Sequence, residues 1–549
     1  MPADILIRNA REPGAPMPFA VAIVGAQIAW VGPDSEAASR IGNETRVIDA
    51  DGALVLPGFC DSHVHLFAGG AALAQLNLAA IHSAAALVQA LAPHVQGKSL
   101  LCCYAANYNL LGPGTRPDRA ALDRIVPDRP LYIVATDYHC AWANTAGLVA
   151  AGILHGADAG PGAEVVMGSD GLATGELREF AAMALVKRLS PTGGREDLGI
   201  AGTEPPAVSA DERARDKVAI AEALAECARN GITAVANMDG NLYQADLLEE
   251  MAEAGDLPIR VSLAMTLTAA QSEEERRRLM DRAMSPPQGH LRFGRVKMFM
   301  DGVFDTWTAL RTDDYPGRPG FRGEPLIPPD LFAAICIEAD RRGLQIATHA
   351  VGDGAVRAVL DGYAAARAAN GPRDARHRIE HIDMLHPDDL PRLAELGVVA
   401  SMQPVHPPGS SGLPLEPTVS IMGSARWRDT FPWRAILDSR AVLAFGTDWP
   451  ISPLAPVNAL HSAMTRQPWA EGVPDQRLTL AEALAAYAAG GAHVGFEEDL
   501  RGRLAPGFAA DLVLLDGDLQ TLSGPVPDLS VRMTFCDGQV LFDGTDAGS

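Results

Sequence analysis

The sequence predicts an α/β protein, a (β/α)8 barrel with a small β-sandwich formed from both termini and a subdomain inserted after the first barrel strand. Three observations predict it. Eight short apolar runs alternate with stretches that carry apolar residues at helical spacing, the pattern of a TIM barrel. Both chain ends hold short β segments with too little core to stand alone. About 170 residues separate the first apolar run from the second, far more than one helix needs.

The N-terminal segments are ILIRNA, FAVAIVGAQIAWVG and TRVIDADGALVLPG. They alternate and are punctuated by Gly and Asp, as hairpins are. GRLAPGFAADLVLLDG and VRMTFCDGQVLFDG read the same way at the other end. Residues 1–57 and 499–549 are therefore expected to form one sandwich, and 58–498 the barrel. The expected barrel strands are 56–62, 232–237, 259–265, 295–300, 345–349, 377–381, 398–403 and 442–448. DKVAIAEALAECARNG, PPDLFAAICIEADRRG, DGAVRAVLDGYAAARAANG and HPDDLPRLAELG are expected helices, several ending at Gly. The insertion is placed at residues 77–210. The Pro/Gly-rich run LSPTGGREDLGIAGTEPPAVSADE reads as its exit linker or a loop.

Composition narrows the function. The chain has 549 residues, more than one core usually holds, with 48% hydrophobic and 21% charged residues. A formal net charge of -23, without a basic block, argues against nucleic acid. No apolar stretch is long enough to cross a bilayer, and MPADILIRNAREPG does not read as a signal peptide. The seven cysteines include the adjacent pair Cys102-Cys103 but no CxxC, so reduced thiols in the cytoplasm are expected. The expected partner is a small-molecule substrate, with no nucleic acid and no membrane; a homodimer is the one assembly considered.

The chemistry sits where the apolar runs end. His63 and His65 point the same way if they lie in a strand, and can grip one metal ion. Lys297, His349, His381 and Asp448 end other runs and would meet them at one rim of a parallel barrel. A buried Lys297 can lose its proton and take up carbon dioxide, giving a carbamate that bridges two metals. A one-metal site with Lys297 as a hydrogen-bond donor is the alternative. His349 and His381 would complete a second metal. Asp448 would bind one metal and accept a proton. Imidazole and carboxylate suit one or two divalent transition-metal ions, with zinc the first expectation.

The chain resembles the amidohydrolase superfamily, and within it the YtcJ-like (amidohydrolase 3) branch. The resemblance rests on VIDADGALVLPGFCDSHVHL, RPLYIVATDYHCAWANTAGL, GLATGELREFA, VKMFMDG, ATHAVGD, RIEHID, SMQPVH, FGTDWPIS and GRLAPGFAADLVLLD. It implies His63, His65 and Asp448 at the first metal, His349 and His381 at the second, carbamylated Lys297 between them, and Asp448 as general base. His139 and Gln403 are candidate donors to the substrate carbonyl or oxyanion. Phe67 and Trp307, with Tyr315 and Phe321, are candidates for an apolar substrate pocket.

The expected function is hydrolysis of a C–N bond in an N-substituted or linear amide by a metal-activated hydroxide. A cyclic amide, ester or carbamate hydrolase on the same site is one alternative. A metal-binding regulatory protein with little catalysis is another.

Overall fold

A computed structural model describes residues 2–14, 17–112, 114–135, 140–160, 163–411, 413–517, 519 and 529–545. The chain divides into two compact units. One comprises Met1–Leu66, Gly199–Glu204 and Leu224–Ser549; the other comprises Phe67–Leu198 and Pro205–Ala223.

The first unit holds a TIM-like α/β barrel. Its strands are Phe59–Val64, Ile232–Gly240, Arg260–Thr266, Leu291–Phe299, Gln345–Ala350, Arg378–His381, Val399–Met402 and Leu443–Phe445. Each pairs in parallel with the next in chain order. Helices such as Pro329–Arg341, Asp353–Asn370 and Leu390–Leu396 return the chain between strands. Small side chains (Ala236, Ala264 and Ala347) and Met238 form one buried cluster contributed by three strands.

The seam between the eighth and first strands is built differently. The Asp448 amide donates to the His63 carbonyl at 2.7 Å, and the His65 amide to the Trp449 carbonyl at 2.8 Å. Beneath these bonds the buried Asp61 carboxylate accepts from the Thr447 amide at 3.0 Å, the Thr447 hydroxyl at 2.6 Å and the His63 amide at 3.1 Å.

The second strand runs on to Gly240 and the fourth begins at Leu291, and the first and last strands depart further from expectation. Residues 56–62 do not form one strand: Leu54–Pro57 pairs with Leu512–Asp516, whereas Phe59–Val64 pairs with Ile232–Gly240. The chain changes sheets at Gly58, where a Cβ would fall 2.4 Å from the Thr233 side chain. The last strand stops at Phe445 rather than 448. Thr447 gives its donors to Asp61, and Asp448 takes a left-handed φ of 60°.

Two four-stranded sheets flank the chain's ends in this unit. One runs Gln27–Pro33, Phe19–Val24, Ile5–Ala10, Arg46–Asp49; the other runs Gln539–Asp543, Ser530–Cys536, Leu512–Asp516, Leu54–Pro57. Ile7, Val21, Ile23, Val55, Leu512, Leu514 and Phe535 form one buried cluster drawn from both sheets. Each such side chain contributes roughly 1.5–3 kcal/mol on burial.

The second unit carries a six-stranded sheet with Leu101–Ala106, Leu131–Ala135, Cys140–Ala143 and Ala173–Arg178 among its strands. Alternation gives it two apolar faces. Tyr132 and Val134 pack in one cluster, Leu131 and Ile133 in another. Asn144 caps the helix Thr145–Ala151 and is fully used, accepting from Gly147 and Leu131 and donating to the Val126 and Arg129 carbonyls. All seven cysteines are buried. Among the described residues, no helix is long and apolar enough to cross a membrane.

The seam makes a prediction. A Cβ on Gly446 would lie 2.6 Å from the His63 nitrogen and 2.9 Å from the Asp61 carboxylate. Gly446→Ala should lower stability by about 1–3 kcal/mol through overpacking and displace His63. Denaturant melts and metal analysis of the variant check this; unchanged stability and metal content would contradict it.

Candidate metal centre

The C-terminal ends of the barrel strands bring six sequence-predicted residues together. His63 and His65 come from the first strand and the residue after it, Lys297 from the fourth, His349 from the fifth and His381 from the sixth. Asp448 follows the eighth. One oxygen of Asp448 stands 3.0 Å from His65 Nε2 and 3.4 Å from His63 Nε2. The donor atoms of His63, His65 and Asp448 all lie within 4.8 Å of one another. A second trio with the same spacing is His381, His406 and Asp448. His349 stands beside it, its ring centroid 4.4 Å from that of His381 and its Nε2 donating to the Gly302 carbonyl at 3.2 Å.

Buried charges orient these rings. His63 Nδ1 donates to Glu380 at 2.8 Å, which leaves Nε2 free to ligate. Glu380 is itself held by Arg378, whose guanidinium also donates to the Ser62 carbonyl and the Ser401 hydroxyl. His65 Nδ1 lies 3.4 Å from Asp239. Asp301 accepts from the amides of Leu310, Val351 and Gly352 and so fixes the turn after His349.

Protonation follows from burial. Burial, aided by the Lys297 ammonium, lowers His63 to about 4 and His349 to about 3. His381 is driven well below its usual range by burial and by His349. These rings are neutral near pH 7, the state that ligates. His65 differs: burial works to lower it, but Asp239 and Asp448 raise it to about 9. Asp448 is held well below the usual carboxylate range, because His63, His65 and His381 outweigh its burial.

Lys297 is fully buried, and its Nζ has no hydrogen-bond partner. Burial lowers its ammonium to about 8. The ammonium lies 4.8 Å from the centre of the Phe299 ring. Gln403 is also buried, with neither amide atom hydrogen-bonded. Unpaired buried groups are rare and call for an explanation. The donor set fits a divalent ion, with Asp448 Oδ1 and His406 Nε2 buried and without hydrogen-bond partners among the described residues.

Trp307 is half-buried with a left-handed φ of 57°, and the Arg318 guanidinium sits 4.1 Å over its ring. Phe67 is buried at the start of the second unit. His139 lies outside the described residues. Sequence reasoning missed His406 as a donor, and Glu380, Arg378 and Asp239 as supports. His406 stands four residues beyond the strand Val399–Met402, in a loop without periodicity. The available signal was a titratable residue closing the SMQPVH run.

The model of the amidohydrolase family known as Amidohydro_3 matches residues 46–542. The chain belongs to the amidohydrolase family. It is 29% identical to the protein LONG AFTER FAR-RED 3 of Arabidopsis thaliana, over 98% of this chain and 92% of that one. It is 27% identical to the putative amidohydrolase YtcJ of Bacillus subtilis, over 91% of each. N-substituted formamide deformylase of Arthrobacter pascens is 24% identical over 96% of this chain and 95% of its own length. Among solved structures, an uncharacterized metal-dependent hydrolase from Pyrococcus furiosus superposes with a TM-score of 0.70 at 26% identity, covering 94% of this chain and 98% of that one. This amidohydrolase is thus a hydrolase of the YtcJ-like kind, with His and Asp groups suited to a metal.

Glu380→Gln keeps the size of the side chain but removes the charge that orients His63. Metal affinity, measured against a competing chelator, should fall about 10–100-fold, the usual cost of losing an outer-shell partner. Unchanged affinity would remove Glu380 from the centre.

Proposed function

We propose that this amidohydrolase hydrolyses the C–N bond of an N-substituted or linear amide, using one or two divalent metal ions with zinc the first expectation. The observation that carries the reading is the pair of His/Asp trios sharing Asp448. The deformylase relative, named for N-substituted formamides, supports the substrate class. In this reading His63, His65 and Asp448 hold one ion, and His381, His349 or His406 hold the second. Lys297, buried and without a partner among the described residues, would help to hold them as its carbamate. The reading keeps residues 1–57 and 499–549 as a sandwich and residues 77–210 as an insertion into the barrel.

A divalent ion bound here supplies an acidified water and polarises the substrate carbonyl. The chain's own groups do the rest. Asp448 is anionic and faces the ligand rings, so it can take a proton from the attacking water and return it to the leaving nitrogen. The Gln403 amide N–H can donate to the substrate carbonyl oxygen, and its carbonyl can accept from the amide N–H. The low-lying imidazoles stay unprotonated across the neutral range, which keeps their lone pairs available.

Purified protein should carry one to two transition-metal equivalents and hydrolyse N-alkyl formamides or acyl amides. Asp448→Asn should cut kcat by at least about 10²-fold, the lower range for general acid–base catalysis. Lys297→Ala should abolish turnover, with partial rescue by short carboxylic acids that replace the missing oxygens. Full activity in metal-free protein would overturn the reading. Density for an unmodified ammonium at Lys297 in the metal-loaded enzyme would remove the carbamate.

A further inference from the structure

A cavity lies at the N-terminal ends of the barrel strands, away from the strand ends that carry His65, His349 and His381. Its volume is about 330 Å3, and Ser62, Ser262, Arg292, Arg295, Gln345 and Arg501 help to line it. Barrel interiors are normally filled by side chains at this level. An opening of this size is in the range of small-ligand sites.

Its charge is unbalanced. Glu497 serves two guanidiniums, Arg292 at 2.6 Å and Arg501 at 2.5 Å. Arg295 is buried with only neutral acceptors: the Gln345 amide oxygen, the Ser262 hydroxyl at 3.1 Å and the Val494 carbonyl at 3.5 Å. Two further lining residues are already used elsewhere: Arg373 donates to Asp340, and Asp374 accepts from Arg376. Arg295 therefore has no hydrogen-bonded carboxylate among the described residues, and Arg292 shares its carboxylate with Arg501.

A second observation points to a ligand. Ser62 is fully buried, lines the cavity, and its hydroxyl has no hydrogen-bond partner. An anion in the cavity would relieve both the unmet charge and the unmet hydroxyl.

We propose that this cavity binds a small oxyanion, a carboxylate or phosphate group, through the Arg295 and Arg292 guanidiniums and the Ser62 hydroxyl. Arginine suits such groups because its planar fork matches their paired oxygens. The site does not depend on which metal the opposite rim holds.

The test is calorimetric titration of the metal-loaded enzyme with inorganic phosphate and, separately, with formate. Wild type should show one anion site per chain. Arg295→Gln and Arg292→Gln should each weaken it by about tenfold or more, as loss of a charged hydrogen bond does. Arg292 has 37% side-chain exposure, so its variant reports even if Arg295→Gln fails to fold. Saturation by both anions assigns the shared oxyanion chemistry, and by phosphate or formate alone assigns that group. Wild type without binding, or phosphate affinity unchanged in Arg292→Gln and any folded Arg295→Gln (the mark of anion at the metal centre), overturns the proposal.

Discussion

The buried carboxylate of Asp61 is the constraint on which the active rim depends. It gathers the Thr447 amide, the Thr447 hydroxyl and the His63 amide around one side chain. Those bonds tie the first strand to the segment after the eighth, where the strand ladder has ended. Without them, Asp448 would follow the strand direction and point away from the first strand. With them, its amide meets the His63 carbonyl and its carboxylate falls between His63 and His65. Burial pushes Asp61 up to about 7, so its bonds to Thr447 and His63 are made against a real desolvation cost.

The same rim concentrates groups that an ordinary core would exclude. Arg378 and Glu380 are both fully buried, and a hydrophobic pair of like volume is often as stable. Their use here is positional, because Glu380 fixes the tautomer of His63. Lys297 goes further: a buried amine with no acceptor is destabilising by itself. Sites that break the rules of satisfied burial are where function is expected. Carbamylation would remove the amine's charge and supply two oxygens to the same space, so one modification answers both anomalies.

Much of this was legible in the sequence. Apolar stretches gave the barrel strands, because strands such as ITAVANMDG and QIATHA are buried along their whole length. The strand ends were less legible. LVLPGF is one apolar run, yet it serves two sheets, and only the close approach of Gly58 to Thr233 shows where it divides. The ligand histidines stood out as strand-end residues. His406 did not, since a loop has no period to mark its direction. Arg378 and Glu380 looked like ordinary charges beside His381, and nothing local reveals that both are buried.

Alternation also explains why the sixth strand could not be read by the rule that served the first. Successive strand residues point to opposite faces, so Glu380 and His381 should diverge. Both nonetheless serve the same site: Glu380 bonds His63, and the His381 ring centroid lies 5.0 Å from that of His63. The backbone makes this compatible. His381 has a φ of 77° and Ile382 a φ of 52°, left-handed values that non-glycine residues seldom adopt. Each costs on the order of 1 kcal/mol and persists only where the surroundings hold it. The Ile382 amide is held by the Ala350 carbonyl at 3.1 Å, and the Asp383 carbonyl by the Phe431 amide at 2.9 Å. The strand is thus turned at its last residue, and the turn brings a supporting carboxylate and a second imidazole from adjacent positions to the same histidine, His63.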